Sequence, residues 1–76
     1  MLEFPAMDAM REFTLNGKAR PLDAETCVAR LLADLGYADK RVAVEVDGQI
    51  VPRSRHAETV ISPGNRVEIV VAVGGG

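Results

Sequence analysis

The chain has 76 residues, 47% of them hydrophobic and 26% charged, with nine basic side chains against eleven acidic ones for a formal charge of −2. This length allows one domain with a small core, which argues against a large enclosed active-site pocket and favours a carrier or binding module over an enzyme. The lack of a basic excess argues against nucleic-acid binding, and no apolar run approaches the length of a membrane span. We therefore expect a cytoplasmic protein whose partners are proteins.

The first segments of the chain predict an extension followed by a hairpin. Residues 1–9 precede any periodic pattern and are interpreted as a disordered N-terminal extension without a role, ahead of a domain at 10–73. From residue 11 the pattern alternates, with Phe13 and Leu15 on one side, as in a half-buried strand. Asn16-Gly17 suits a type I′ turn, so residues 18–22 should return as a second strand.

A single helix is predicted within residues 23–37. Its apolar residues recur at i, i+3, i+4 and i+7 on one face: Val28, Leu31, Leu32 and Leu35. Asp23 or Thr26 is expected to cap its start, and Glu25 suits the positive end of the helix dipole. Gly36 stands where a left-handed residue ends a helix.

The second half of the chain predicts three further strands. Val42, Val44 and Val46 alternate before an Asp47-Gly48 turn, and the short return strand 49–51 must end near Pro52, which has no amide proton. After a polar, irregular stretch, a turn at 62–65 introduces the last strand at 66–73. The expected order is β-β-α-β-β-β. This predicts an α+β fold in which one helix packs on one face of a mixed sheet of four to five strands.

The last strand has an apolar residue on each face of the sheet. The residues expected to face the helix are Val67, Ile69, Val71 and Val73. Val70 and Ala72 then lie on the uncovered face, beside Thr14 or Ala43. Two interpretations remain open: a partner surface formed by Val70 and Ala72, or a small central strand with β-forming residues on both faces.

The chain ends in Gly74, Gly75 and Gly76, which form a thin and adaptable peptide. Three extended residues reach roughly 10 Å, enough to carry a terminal carboxylate into another protein's active site. A carboxylate is a poor electrophile, so it would need activation, most simply as an acyl adenylate that a sulfur nucleophile then attacks. The three glycines taken alone favour a frayed tail without a role over this interpretation.

No residue of the chain is assigned a catalytic or metal-binding role. A single cysteine, Cys27, cannot form an internal disulfide or alone hold a metal centre, and it is interpreted as a packing residue in the first helical turn. His56 is interpreted as a solvated surface residue. Four dispersed arginines form either a solvated face or contacts to an acidic partner: Arg41, Arg53, Arg55 and Arg66.

Several short motifs together resemble those of the ThiS family, the sulfur carriers of thiamine biosynthesis. They are Val46-Asp47-Gly48, Val51-Pro52-Arg53, Pro63-Gly64-Asn65, Val67-Glu68-Ile69-Val70 and the final Gly75-Gly76. The resemblance runs from about residue 11 to the end and implies a β-grasp, ubiquitin-like fold. The departures are Asp47, where Asn is commoner, His56, where an aromatic residue is frequent, and the residues before Met10, which have no counterpart in the family.

The resemblance also implies a carrier cycle centred on Gly76. An E1-like adenylyltransferase of the ThiF type would adenylate this residue with ATP and magnesium, and a sulfur donor protein would supply the sulfur of a thiocarboxylate. A thiazole synthase of the ThiG type would then use that sulfur, and the carrier itself would bind no cofactor. The alternatives are the small subunit of molybdopterin synthase, which the Val-Pro-Arg segment disfavours, a ubiquitin-like protein modifier, and an interaction module with an inert tail.

Overall fold

The computed structural model describes residues 11–72 of the chain. Along the sequence its elements are β1 (Glu12–Leu15), β2 (Lys18–Pro21), β3 (Thr26–Cys27), helix α1 (Val28–Asp34), β4 (Val42–Val46), β5 (Gln49–Val51), a 3₁₀ turn (Arg53–Arg55), β6 (Val60–Ile61) and β7 (Arg66–Val71). Five strands form the main sheet in the order β2-β1-β7-β4-β5, and β3 pairs with β6 in a second, two-stranded sheet.

The main sheet is mixed, as the sequence predicts. The first and last strands, β1 and β7, lie side by side and parallel, with Thr14 opposite Arg66 and Leu15 opposite Val67. All other pairs in this sheet are antiparallel. A parallel pair requires a long connection between its strands, and here that connection includes α1.

The core lies between α1 and one face of the main sheet. Its buried apolar residues are Phe13, Leu22, Val28, Leu31, Leu32, Val44, Ile61, Val67 and Ile69. The alternation of β1, β4 and β7 and the apolar face of α1 all contribute to this set, which confirms the predicted faces. Each such side chain contributes about 1.5–3 kcal/mol when fully buried, so these few residues supply most of the driving force for folding.

Both hairpin turns adopt the predicted left-handed conformation. Asn16 and Gly17 have φ angles of 51° and 87°, and Asp47 and Gly48 have φ angles of 52° and 85°. Two consecutive positive φ values define a type I′ turn, whose twist matches that of the strands it joins. These two dipeptides therefore fix the registers of the β1–β2 and β4–β5 hairpins.

The start of α1 differs from the sequence prediction. Thr26 and Cys27 are extended and pair with Ile61 and Val60, so the helix begins at Val28. The amides of Val28 and Ala29 donate to the carbonyl oxygens of Thr59 and His56, at 2.9 and 3.0 Å. No side chain caps the start of the helix. The two carbonyl oxygens accept hydrogen bonds from its first free amides instead.

Three predictions about this helix start were therefore wrong. Neither Asp23 nor Thr26 caps the helix, and Glu25 lies outside its first turn. Cys27 is the residue before the helix rather than part of its first turn. The competing interaction is the β3–β6 pairing, which draws the chain into an extended conformation up to Cys27.

The end of α1 follows the prediction. Gly36 has a φ angle of 82°, a conformation that side chains disfavour. Its amide donates to the Ala33 carbonyl at 3.1 Å, and the Tyr37 amide donates to the Leu32 carbonyl at 2.8 Å. This pair of hydrogen bonds is a Schellman motif, which satisfies two of the last carbonyls of the helix.

The segment between β5 and β6 is more ordered than predicted. As expected, Pro52 ends the pairing of β5, but a 3₁₀ turn follows it and brings His56 against the start of α1. The prediction that His56 is a solvated surface residue was wrong: its side chain is buried, with 8% exposed. Its Nε2 lies 3.1 Å from the Val51 carbonyl oxygen, and as the donor in this hydrogen bond it carries the proton.

Candidate functional site

The candidate site is the end of β7, where the described part of the chain stops. The last described residue is Ala72, whose amide donates to the Arg41 carbonyl at 2.9 Å, one position beyond the Val42–Val71 pair. The pairing of this strand with β4 therefore continues to residue 72. Val73, which was assigned to the core, and the three glycines at 74–76 lie outside the described residues, as does the 1–9 extension.

The two faces of β7 are as different as predicted. Val67 and Ile69 are buried in the core, whereas Val70 is 66% exposed and Ala72 is also exposed. Val70 lies opposite Ala43 on β4, which is one of the two neighbours expected from the sequence. Thr14, the other one, lies opposite Arg66 instead. The use of Val70 and Ala72 as a partner surface stays a prediction.

The uncovered face of the sheet also has charged residues next to Val70. Glu45 on β4 lies directly opposite Glu68 on β7, and on its other side Glu45 is opposite Ile50, which is 72% exposed. Like charges directly across a ladder disfavour pairing by a modest amount. This face thus combines exposed apolar residues with two carboxylates, and the sequence analysis did not identify Ile50 or the carboxylate pair.

A side chain from the first hairpin holds the middle of β7. Asn16 follows β1, and its backbone amide donates to the Val67 carbonyl at 2.8 Å. Its side-chain Oδ1 accepts the Ile69 amide at 2.8 Å, and its Nδ2 donates to the Ile69 carbonyl at 3.3 Å. The carboxamide takes the place of a further strand residue and extends the β1–β7 ladder beyond Leu15. The Asn-Gly motif predicts the turn but not this partner in a distant strand.

A side chain from the second hairpin holds the start of β7. Asp47 accepts the Arg66 amide at 2.8 Å through Oδ1 and the Asn65 Nδ2 at 2.7 Å through Oδ2. Asn65 in turn accepts the Ser62 amide at 2.7 Å, which closes the turn before β7. Both carboxylate oxygens act as acceptors here, a role that an asparagine amide cannot fill. Asp47 therefore suits this position because its second carboxylate oxygen accepts the hydrogen bond from Asn65 Nδ2.

The described residues offer no obvious chemistry of their own at this site. Within residues 11–72, no three His, Cys, Asp or Glu side chains form a group able to hold a metal ion. Cys27 is a free, half-buried thiol in the second sheet, opposite Val60. The one α-helix described, at 28–34, is too short to cross a membrane. What the site provides is a firmly held strand that leads into the glycine tail.

A helix packed on one face of a mixed sheet, with parallel first and last strands at its centre, defines a β-grasp protein of the ubiquitin-like class. A model of the ThiS family matches residues 13–76, which include all of the described elements from Phe13 onward and the three final glycines. The chain belongs to the ThiS family.

Two solved structures agree with this assignment. The crystal structure of the thiamine biosynthesis protein ThiS from Geobacter metallireducens is 32% identical in sequence and superposes with a TM-score of 0.72, covering 86% of this chain and 99% of that one. An NMR solution structure of a thiamine biosynthesis protein from the same organism has a TM-score of 0.70 at 32% identity, covering 86% of this chain and 87% of the other. The similarity thus extends over nearly the whole domain.

Two curated relatives are much longer proteins. A thiazole synthase from Paramagnetospirillum magneticum is 38% identical over 65 residues, which are 86% of this chain and 20% of that protein. A thiazole synthase from Magnetococcus marinus is 36% identical over 62 residues, which are 82% of this chain and 19% of that protein. The chain spans about a fifth of the length of these relatives.

Proposed function

We propose that this chain is a sulfur carrier for the synthesis of the thiazole of thiamine, and that it works through the carboxylate of Gly76. Membership of the ThiS family and the similarity to a thiamine biosynthesis protein support the proposal. The observation that carries it is the anchoring of β7: Asp47, Asn16 and the Arg41 carbonyl hold this strand from Arg66 to Ala72. Because the strand before the tail is held in place, the tail leaves the domain from a defined position, from which a partner enzyme can bind it.

The chemistry of the cycle requires little from the carrier except its end group. A carboxylate oxygen of Gly76 attacks the α-phosphorus of ATP in a ThiF-type partner, and pyrophosphate leaves. The terminal sulfur of a donor protein's persulfide then attacks the acyl carbon, and AMP leaves with the oxygen. A second partner thiol cleaves the S–S bond of the resulting acyl disulfide and forms a disulfide with the donor sulfur, which releases the carrier. The product is a thiocarboxylate, whose sulfur holds negative charge and is more nucleophilic than a carboxylate oxygen. Magnesium, acid–base groups and thiols are supplied by the partners, so the carrier is not itself an enzyme.

The acceptor in this proposal is a thiazole synthase of the ThiG type. Segments similar to this chain make up about a fifth of two proteins named thiazole synthase, which supports joint action of carrier and synthase. The exposed Val70 and Ala72 near the end of β7 are the proposed contact surface for the adenylating partner rather than for the synthase. Exposed apolar residues on an uncovered sheet face are suited to docking on a partner.

The proposal is tested by adenylation with ATP and a ThiF-type partner, followed as pyrophosphate release. We expect Gly75→Val to abolish release, because valine restricts φ and adds bulk where the tail must enter a narrow channel. A short tag appended after Gly76 should also abolish it, because the reacting carboxylate becomes an amide. Both variants should melt at the wild-type temperature. Normal turnover of both would contradict a role for the C-terminus and favour an interaction module with an inert tail.

A further inference from the structure

A basic cleft lies next to Ala72, the last described residue, whose amide donates to the carbonyl of Arg41 in the cleft lining. It has a volume of about 330 Å³, and three exposed cations line it, Lys40, Arg41 and Arg53. Tyr37 and the buried His56 also contribute to its walls. We call this feature, defined by the three cations, the basic cleft.

The charge of the basic cleft is opposite to that of the whole chain. The chain has a formal charge of −2, yet no carboxylate lines this cleft. In the cleft next to β2, by contrast, Arg20 and Arg30 are accompanied by acidic residues, and Arg30 is 3.7 Å from Asp34 in a salt bridge. Within residues 11–72, none of the three cations of the basic cleft forms a salt bridge. Three cations that line one cleft and form no salt bridge favour an anionic ligand, since its charge attracts them.

The backbone connects the basic cleft directly to the base of the tail. Arg41, one of its three cations, accepts the Ala72 amide through its carbonyl oxygen at 2.9 Å. Val42, which also lines the cleft, is opposite Val71 in the β4–β7 ladder. A protein that contacts the chain at Ala72 therefore lies close to Arg41.

We propose that the basic cleft is a docking site for a carboxylate-bearing segment of the protein that adenylates the tail, an inference that rests on the proposed function. A protein carboxylate fits better than the phosphates of ATP. A tail that enters a narrow channel must be extended, and four extended residues beyond Ala72 reach up to roughly 13 Å, so in the proposed cycle the nucleotide meets Gly76 away from the cleft. Arginine guanidinium groups bind carboxylates with two parallel hydrogen bonds, which would orient the partner as well as attract it.

The test compares two charge reversals with a matched control. Lys40→Glu and Arg53→Glu change the basic cleft, whereas Lys18→Glu makes the same change at β2, on the opposite edge of the sheet. All three positions are exposed, so each variant should keep the wild-type melting temperature. Affinity for a ThiF-type adenylyltransferase is measured directly by calorimetry, and KM and kcat are measured by pyrophosphate release.

Charges at the edge of an interface act mainly on association and its salt dependence. We therefore expect Lys40→Glu and Arg53→Glu each to raise Kd and KM by roughly tenfold with kcat unchanged, and Lys18→Glu to alter neither by more than about twofold. Salt at 0.5 M should bring wild-type affinity toward that of the variants. Equal Kd values for wild type and both cleft variants would overturn the docking site. Binding that depends on the cleft without any pyrophosphate release would instead contradict the proposed function.

Discussion

At the scale of single residues, Asn16 and Asp47 do more than form turns. Each is the first residue of a type I′ turn, and each uses its side chain to hydrogen-bond the backbone of β7. The positive φ angle is what allows this, because it turns the side chain of a hairpin residue toward a neighbouring strand while the backbone reverses. Asparagine and aspartate are the non-glycine residues that tolerate this conformation best and also offer a short polar group.

Replacement of Asn16 by glycine isolates the contribution of its side chain. Glycine adopts the φ angle of 51° without strain, so the turn remains, but both hydrogen bonds to Ile69 are lost. We expect the free energy of unfolding in urea to fall by about 1–2 kcal/mol, since each net hydrogen bond contributes about 0.5–1.5 kcal/mol. The Ile69 amide should also exchange with solvent deuterium faster than in wild type. Unchanged protection of that amide would show that Asn16 does not hold β7.

At the scale of elements, β7 contributes side chains to both the core and the uncovered face of the sheet. Its odd-numbered residues 67 and 69 fill the core, and its even-numbered residues 68 and 70 lie on the uncovered face. Period-2 alternation alone predicts this division, because consecutive side chains of a strand point to opposite faces. Residues 68 and 70 on the uncovered face can thus be substituted without disrupting the core, provided that the register of the strand is kept.

Aspartate substitutions on the two faces of β7 should differ in their effect on folding. Val70→Asp adds a charge at an exposed position, so we expect the melting temperature to stay near that of wild type while affinity for the adenylating partner falls. Ile69→Asp, the matched control, buries an unpaired charge and should prevent folding. The measurements are thermal melts and calorimetric titrations. If the Val70→Asp protein unfolds, this side chain belongs to the core. If it folds and binds the adenylating partner with wild-type affinity, Val70 is not part of the partner surface.

The elements that the sequence predicted are those whose signals are local. The hairpin turns and the Schellman end of α1 depend on glycine next to a few neighbours, and the strand and helix faces depend on short periodic patterns. The start of α1 was not predictable in this way, because the carbonyls of Thr59 and His56 replace a cap and lie some thirty residues further along the chain. The β3–β6 pairing has too short a pattern, two residues on each side, to be read from sequence.

The burial of His56 and the partner of Asn16 have the same explanation. Both depend on contacts that form only after distant segments meet: His56 packs where the 3₁₀ turn crosses the start of α1, and Asn16 reaches a residue 53 positions away. A polar side chain in such a place gives no local sign of its burial.

At the scale of the whole molecule, the proposed function makes the folded domain a small base for a reactive end. Among residues 11–72, nine buried apolar side chains and the five-stranded sheet fix β7. The basic cleft and the uncovered face lie on either side of its last described residues. A 76-residue chain has little room for a pocket that encloses a substrate. In this proposal the partners therefore provide the active sites, and the carrier provides affinity, direction and a carboxylate.

The carrier role of Gly76 can be tested by the intact mass of the chain after incubation with ATP, a ThiF-type adenylyltransferase and a sulfur source. We expect a gain equal to the difference between a sulfur and an oxygen atom, located at Gly76 by fragmentation, with Cys27 unmodified. Omission of ATP should leave the mass unchanged, because the carboxylate then lacks its activation. A gain of one whole sulfur atom, mapped to Cys27 as a persulfide, would contradict this role.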